Sequence, residues 1–213
     1  MKRLSSQILY FAQYGVDQTR FFLMSEVNFG SDGDFSHERM IQKVNTNLAN
    51  ELGNLCQRTL TLVYKNCGNA VPAEVGAYTE YDEALLAKAR ALRQTSGEAI
   101  ATQSIQKYVA AMVSMIWDTN KYIDEMEPWI LRKTDTERMA TVLYVIMEVL
   151  RHAAILYQPL IPESANKILD LLTVPEDERT FDHLESGSIV KGTPIPKPQG
   201  IFPRIELETA VQV

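Results

Sequence analysis

Asn47, Asn50, Asn54 and Arg58 recur at helical spacing within residues 46–58, TNLANELGNLCQR. Asparagine is a poor helix former, costing roughly half a kcal/mol against alanine at each interior position. Three of them in about three turns call for a reason. An amide both donates and accepts hydrogen bonds, and a guanidinium adds a planar, charged fork. Together they make a surface able to read flat polar edges such as those of nucleotide bases. A plain solvated face is the alternative, but such faces normally carry Glu, Lys and Gln, which favour helix.

The element that must carry this stripe is a long helix opened by Ser36 and running to about residue 66. Its apolar positions, Ile41, Val44, Leu48, Leu52, Leu55 and Leu62, follow i, i+3, i+4, i+7 spacing. At about 100° per residue from Leu48, the three asparagines and Arg58 fall between about 200° and 280°. They therefore point away from the core.

A second chemically interesting position is Trp129, in Glu127-Pro128-Trp129 at a helix junction where proline limits continuation. One reading is a plug closing the bundle end. The other is an exposed platform on which a base stacks, worth roughly 1–3 kcal/mol. Single-stranded RNA loops are read by this pairing of a stacking ring with amide and guanidinium edges. Trp117, inside an apolar helix, is assigned to the core.

The remaining elements read as helices. Asp17 opens a short one after Gly15. Residues 28–36, NFGSDGDFS, form a loop, and Asp32-Gly33-Asp34 in it reads as an Asx turn, because EF-hand spacing and its terminal Glu are absent. Thr79 and Asp82 form a cap for a helix of about 80–95, interrupted at Gly97. A second helix follows to Met126 on the stripe Ile105, Val109, Met112, Ile116, Ile123. Thr134 or Asp135 caps a third to Tyr157, and Pro159 and Pro162 end it and start a short last one at about 163–172. The predicted class is all-α: an antiparallel bundle over residues 36–173, a helical connector over 1–35, and a Pro-rich tail over 174–213, extended across the bundle or partly disordered.

Bulk properties narrow the function. The 213 residues, 46% hydrophobic, suffice for a sizeable core. No uninterrupted apolar run reaches the 18 or so residues of a membrane span. Cys56 and Cys67 lack CxxC spacing and nearby histidines, and His37, His152 and His183 are scattered, so no zinc site or Cys–His nucleophile is expected. Glycine-rich phosphate loops, GxSxG and HExxH are absent, leaving a binding set with no catalytic residue. Net charge is −6, yet residues 1–66 carry 7 Lys/Arg against 6 Asp/Glu. The acidic excess lies elsewhere, so nucleic-acid contact is expected to be local and base-directed, with a shallow salt dependence.

The residues also carry a family resemblance. Residues 14–36 (YGVDQTRFFLMSEVNFGSDGDFS), 45–58 (NTNLANELGNLCQR), 120–129 (NKYIDEMEPW) and 200–206 (GIFPRIE) resemble the C-terminal part of methionyl-tRNA synthetases. The resemblance spans nearly everything from residue 14. It implies the anticodon-binding helix bundle of class I synthetases, recognising the CAU anticodon, chiefly its first base. Carried onto this chain, the reading residues are Asn54, Arg58 and Trp129, with Asn50 and Pro128 in support; Asn47 lies outside the family pattern.

The family's HIGH and KMSKS signatures are not in this sequence, and Lys2-Arg3-Leu4-Ser5-Ser6 lies too close to Tyr14 to stand for the second. The resemblance therefore implies no cofactor in this chain, with ATP and Mg²⁺ belonging only to the parent enzyme's catalytic domain. Its implied partners are initiator and elongator methionine tRNA and that catalytic domain, with no membrane. The implied setting is cytoplasmic, or organellar for a eukaryotic source. The chain then reads as a piece of a longer enzyme, a truncated gene model or a stand-alone tRNA-binding relic. A helical scaffold that binds a protein through its Pro-rich tail is the competing function.

Overall fold

The run TERMATVLYVIMEVLRHAAILY is apolar on every side, and a helix of that kind belongs in the middle of a bundle. In the computed structural model, which describes residues 11–26 and 36–206, it does so. Thr136–Tyr157 (α7) is buried at every position from Thr141 to Tyr157. Its length and hydropathy would suffice to cross a membrane, but 94% of that window lies inside the fold.

The other helices are Val16–Glu26 (α1), His37–Val44 (α2), Asn54–Asn66 (α3), Glu80–Ala101 (α4), Ile105–Met126 (α5), Pro128–Thr134 (α6), Pro162–Leu171 (α8) and the short His183–Ser186 (α9). Helices α4, α5 and α7 pack on one another, and α3, α6 and α8 each pack on α7. No strand forms among the described residues; one isolated antiparallel bridge joins Ala70 to Pro194. The class is all-α, as expected. The 28–36 loop with Asp32-Gly33-Asp34, apart from Ser36, lies outside the described residues, as does Lys2–Ser6.

A buried carboxylate ties three helices together. Asp82 accepts two hydrogen bonds from the Arg138 guanidinium, at 2.6 and 2.8 Å, one from Tyr122 and one from the Thr79 backbone N–H at 2.8 Å. Thr79 and Asp82 form the expected capping box for α4. Burial alone would raise the Asp82 carboxyl; the donors from Arg138, Tyr122 and Thr79 outweigh it and hold the pKa at about 2.

Over the described residues the tail packs on α7, because the few polar groups of a helix buried all round must find partners. Glu148 accepts from Arg151 Nε at 2.9 Å and from the Ile189 N–H. Arg151 donates onward to the carbonyls of His183 at 2.9 Å and Gly187 at 2.7 Å. Further along, Ile195 N–H donates to Asn69 O at 2.8 Å.

Four expectations are corrected. Gly97 does not interrupt α4, which continues to Ala101; the glycine faces open space, and its helix-weakening effect of about 1 kcal/mol is too small to break a packed helix. Asp17 does not cap its own helix. It sits inside α1 and accepts from the Ser164 N–H at 2.6 Å, capping α8 across the fold. The Ser36 helix does run to Asn66, but residues Asn45–Gly53 within it are π-helical. Trp117 is not in the core: it is 67% exposed. It follows Ile116 by one position, so it lies about 100° off the buried stripe of α5. That stripe is Val109, Met112, Met115, Ile116, Thr119, Tyr122 and Ile123.

Candidate nucleic-acid interface

Nine consecutive π-helical residues are unusual, since π turns mostly occur singly and often at functional sites. The tail braces this stretch. Asn45 and Ile205 exchange two hydrogen bonds: the Asn45 amide donates to Ile205 O at 2.8 Å and accepts from Ile205 N–H at 2.9 Å. Gly53 lets the tail approach. A Cβ there would stand 3.0 Å from Leu48 O and 3.2 Å from the Phe202 ring. Thus GIFPRIE, at the end of the described residues, touches both ends of the π stretch, at Asn45 and at Gly53.

The π stretch packs beside α5, and a groove of about 560 Å³ runs between them. One wall carries Asn50, Glu51, Asn54 and Arg58; the other carries Trp117, Asn120, Lys121 and Asp124. Its volume is within the range of ordinary ligand sites. Asn50 and Asn54 are exposed. Among the described residues neither amide makes a hydrogen bond within the fold, whereas Asn45, Asn47 and Asn120 all do. Asn47, which bonds Lys43 O at 3.1 Å, faces a different hollow beside Glu26 and Arg39.

Arg58 occupies the end of the groove. Its guanidinium carbon lies 5.2 Å from the centre of the Trp129 ring, and it donates to Asp124 Oδ1 at 2.7 Å. Both are close contacts of modest strength in a half-open setting, each worth on the order of 1 kcal/mol or less. Trp129 is partly buried against the core, so it shares features of both readings offered for it. Pro128 is buried as the first residue of α6. Between α5 and α6, Glu127 adopts φ 44°, a left-handed conformation for a non-glycine residue, and this sharp turn brings Trp129 back beside Arg58.

The acidic groups of the groove are held. Glu51 accepts from the Asn120 amide at 2.8 Å and Asp124 from Arg58. All five residues singled out for binding, Asn50, Asn54, Arg58, Pro128 and Trp129, therefore fall at one end of the bundle: three line the groove, Trp129 backs Arg58, and Pro128 supports the turn. Trp117 and Lys121 as groove residues were not foreseen. Their signal was present: Trp117, Asn120, Lys121 and Asp124 stand at i, i+3, i+4, i+7, a second stripe beside the apolar one. The two thiols have no part in the groove. Both are free, and burial pushes Cys56 up to about 12.

Comparison with known proteins gives a consistent result. Residues 71–212 match the family model described as the anticodon binding domain of methionyl tRNA ligase, and residues 6–60 match that of class I tRNA synthetases (M). The two groove walls thus fall in different models. The methionine–tRNA ligase of Brucella suis biovar 1 is 47% identical over 192 residues, and that of Rhizobium meliloti is 47% identical over the same length. Each alignment covers 90% of this chain and 37% of the relative. The chain thus spans little more than a third of the curated relatives it matches. The apo form of Mycobacterium tuberculosis methionyl-tRNA synthetase superposes with a TM-score of 0.90 at 42% identity, covering 93% of this chain and 41% of that one.

Proposed function

We propose, since this chain belongs to the family of methionyl-tRNA ligase anticodon-binding domains, that its groove reads the CAU anticodon of methionine tRNA. The observation that carries this reading is the conjunction of two unengaged amides, Asn50 and Asn54, with Arg58 held over Trp129. Asn54 and Arg58 hydrogen-bond the edge of the first anticodon base, and Trp129 offers it a stacking surface. Asn50 and Pro128 support these contacts. Such bidentate contacts discriminate between bases by about 1–3 kcal/mol each, without a broadly basic surface.

In this reading the chain contributes tRNA selection to methionine–tRNA ligation, with both initiator and elongator methionine tRNA as ligands. ATP and Mg²⁺ act at the aminoacylation site of the whole enzyme, and none of the residues named here is assigned to them.

The test is a titration of a CAU anticodon stem-loop against the wild-type chain and Trp129→Ala. Loss of roughly 1–3 kcal/mol in the variant is expected from the lost stacking. Equal binding by both proteins, or no preference over a loop with a different first base, would sink the assignment. Few phosphates are gripped, so the salt slope should be shallow.

A further inference from the structure

Resting on the anticodon reading above, we infer that Trp117 is a second stacking platform. It takes the face of another unpaired base of the anticodon loop, while Lys121, one turn further along the same wall, meets the adjoining phosphate.

Trp117 is 67% exposed, more than any other large hydrophobic side chain described. Its position on α5 explains why it is not in the core but not why an indole stands there. The composition of the groove indicates the occupant. Trp117 is the sole apolar residue in the lining; the others are amides, Arg58, Lys121 and two carboxylates. An indole that anchors a protein partner normally sits in a well-packed, desolvated centre. One flat apolar face opposite hydrogen-bonding edges instead suits a nucleobase, which has an apolar face and a polar rim.

The two tryptophans differ in what covers them. Trp129 is partly buried, with Arg58 at 5.2 Å from its ring centre. Trp117 lies open. The groove carboxylates are already engaged by Asn120 and Arg58, which leaves Lys121 as the cation available to the RNA backbone on this wall; its side chain is 73% exposed, and its ammonium stands 3.6 Å from Glu125 in a loose surface pair.

The full 213-residue chain should be compared with Trp117→Ala and Trp117→Gln for binding to the CAU stem-loop, and to a series with each loop nucleotide made abasic in turn. Because the indole is exposed, both variants should melt as wild type does. Binding to the intact loop should fall about tenfold in each, and with one particular abasic loop the wild type and variants should bind alike. Lys121→Ala should reduce the salt slope by about one. If the wild type prefers CAU but both Trp117 variants match it, this inference is overturned and the anticodon reading stands. A uniform loss across every abasic loop also overturns it, since a stacking role must be tied to one base. A wild type without CAU preference overturns both.

Discussion

The guanidinium of Arg58 lies over the Trp129 ring, 5.2 Å from its centre, although the two residues are more than seventy positions apart. The contact orients both groups before any ligand arrives, which lowers the ordering cost of binding. Arg58→Lys keeps the charge but removes the planar stack and fork. Stem-loop affinity should drop about tenfold, with thermal stability changed by less than about 1 kcal/mol because the ion pair with Asp124 is partly exposed and lysine keeps the charge. Equal affinity, read by fluorescence anisotropy, would contradict the role given to Arg58.

The tail brace predicts an indirect effect. Asn45→Ala removes both hydrogen bonds with Ile205, for a loss of about 1–2 kcal/mol in unfolding free energy. Amide exchange over residues 201–206 and within Asn45–Gly53 should quicken together. Gly53→Ala should act more strongly on the same region, since its Cβ must displace the Leu48 carbonyl or the Phe202 ring. Faster exchange in the tail alone would show that the π stretch stands without it.

Acid should weaken the fold through Asp82. Its pKa is depressed from 3.8 to about 2, so its stabilisation is fully present above the unfolded value and is lost as pH falls from about 4 toward 2. The amount is roughly 2 kcal/mol. Asp82→Asn should abolish that part of the acid dependence and cost about 3 kcal/mol at neutral pH, by leaving Arg138 without its charge partner. Denaturant melts across pH 2–5 measure both effects.

The Glu127 turn can be tested by backbone preference. Glycine tolerates φ 44°, so Glu127→Gly should leave stability within about 0.5 kcal/mol of wild type or improve it. A β-branched residue in that conformation is strained, and Glu127→Val should cost about 1–2 kcal/mol and weaken stem-loop binding by moving Trp129. Identical binding by both variants would separate the turn from the interface.

Asp17 offers a cap acting at long range in sequence. Asp17→Ala should destabilise the chain by about 0.5–2 kcal/mol by leaving the Ser164 N–H without its acceptor. The loss should appear as fraying of α8 in hydrogen exchange, with little change within α1.

Local chemistry was legible in the sequence wherever a single helix decided the outcome. The apolar run of α7, the Thr79–Asp82 box and the Ser36 and Asp135 caps follow from periodicity and side-chain reach within one turn. The asparagine stripe was visible for the same reason. What the structure added are relationships between elements. The capping of α8 by Asp17, the brace of Asn45 on Ile205 and the seat of Trp129 against Arg58 all join residues far apart in the chain.

Trp117 marks the boundary between the two. Its offset from the buried stripe was computable from the sequence, but a tryptophan within an apolar helix is ordinarily core, and only the packing of α5 beside the π stretch shows its ring open on a polar groove. The sequence by itself determined which residue types lie on each face of the α-helices, because an α-helix repeats every 3.6 residues; over Asn45–Gly53, where the turns are π-helical, that repeat does not hold. Which faces meet, and so which amides remain unengaged and which rings stay exposed, was decided by tertiary packing, since pairing two faces depends on shape and satisfied polar groups summed over the whole bundle.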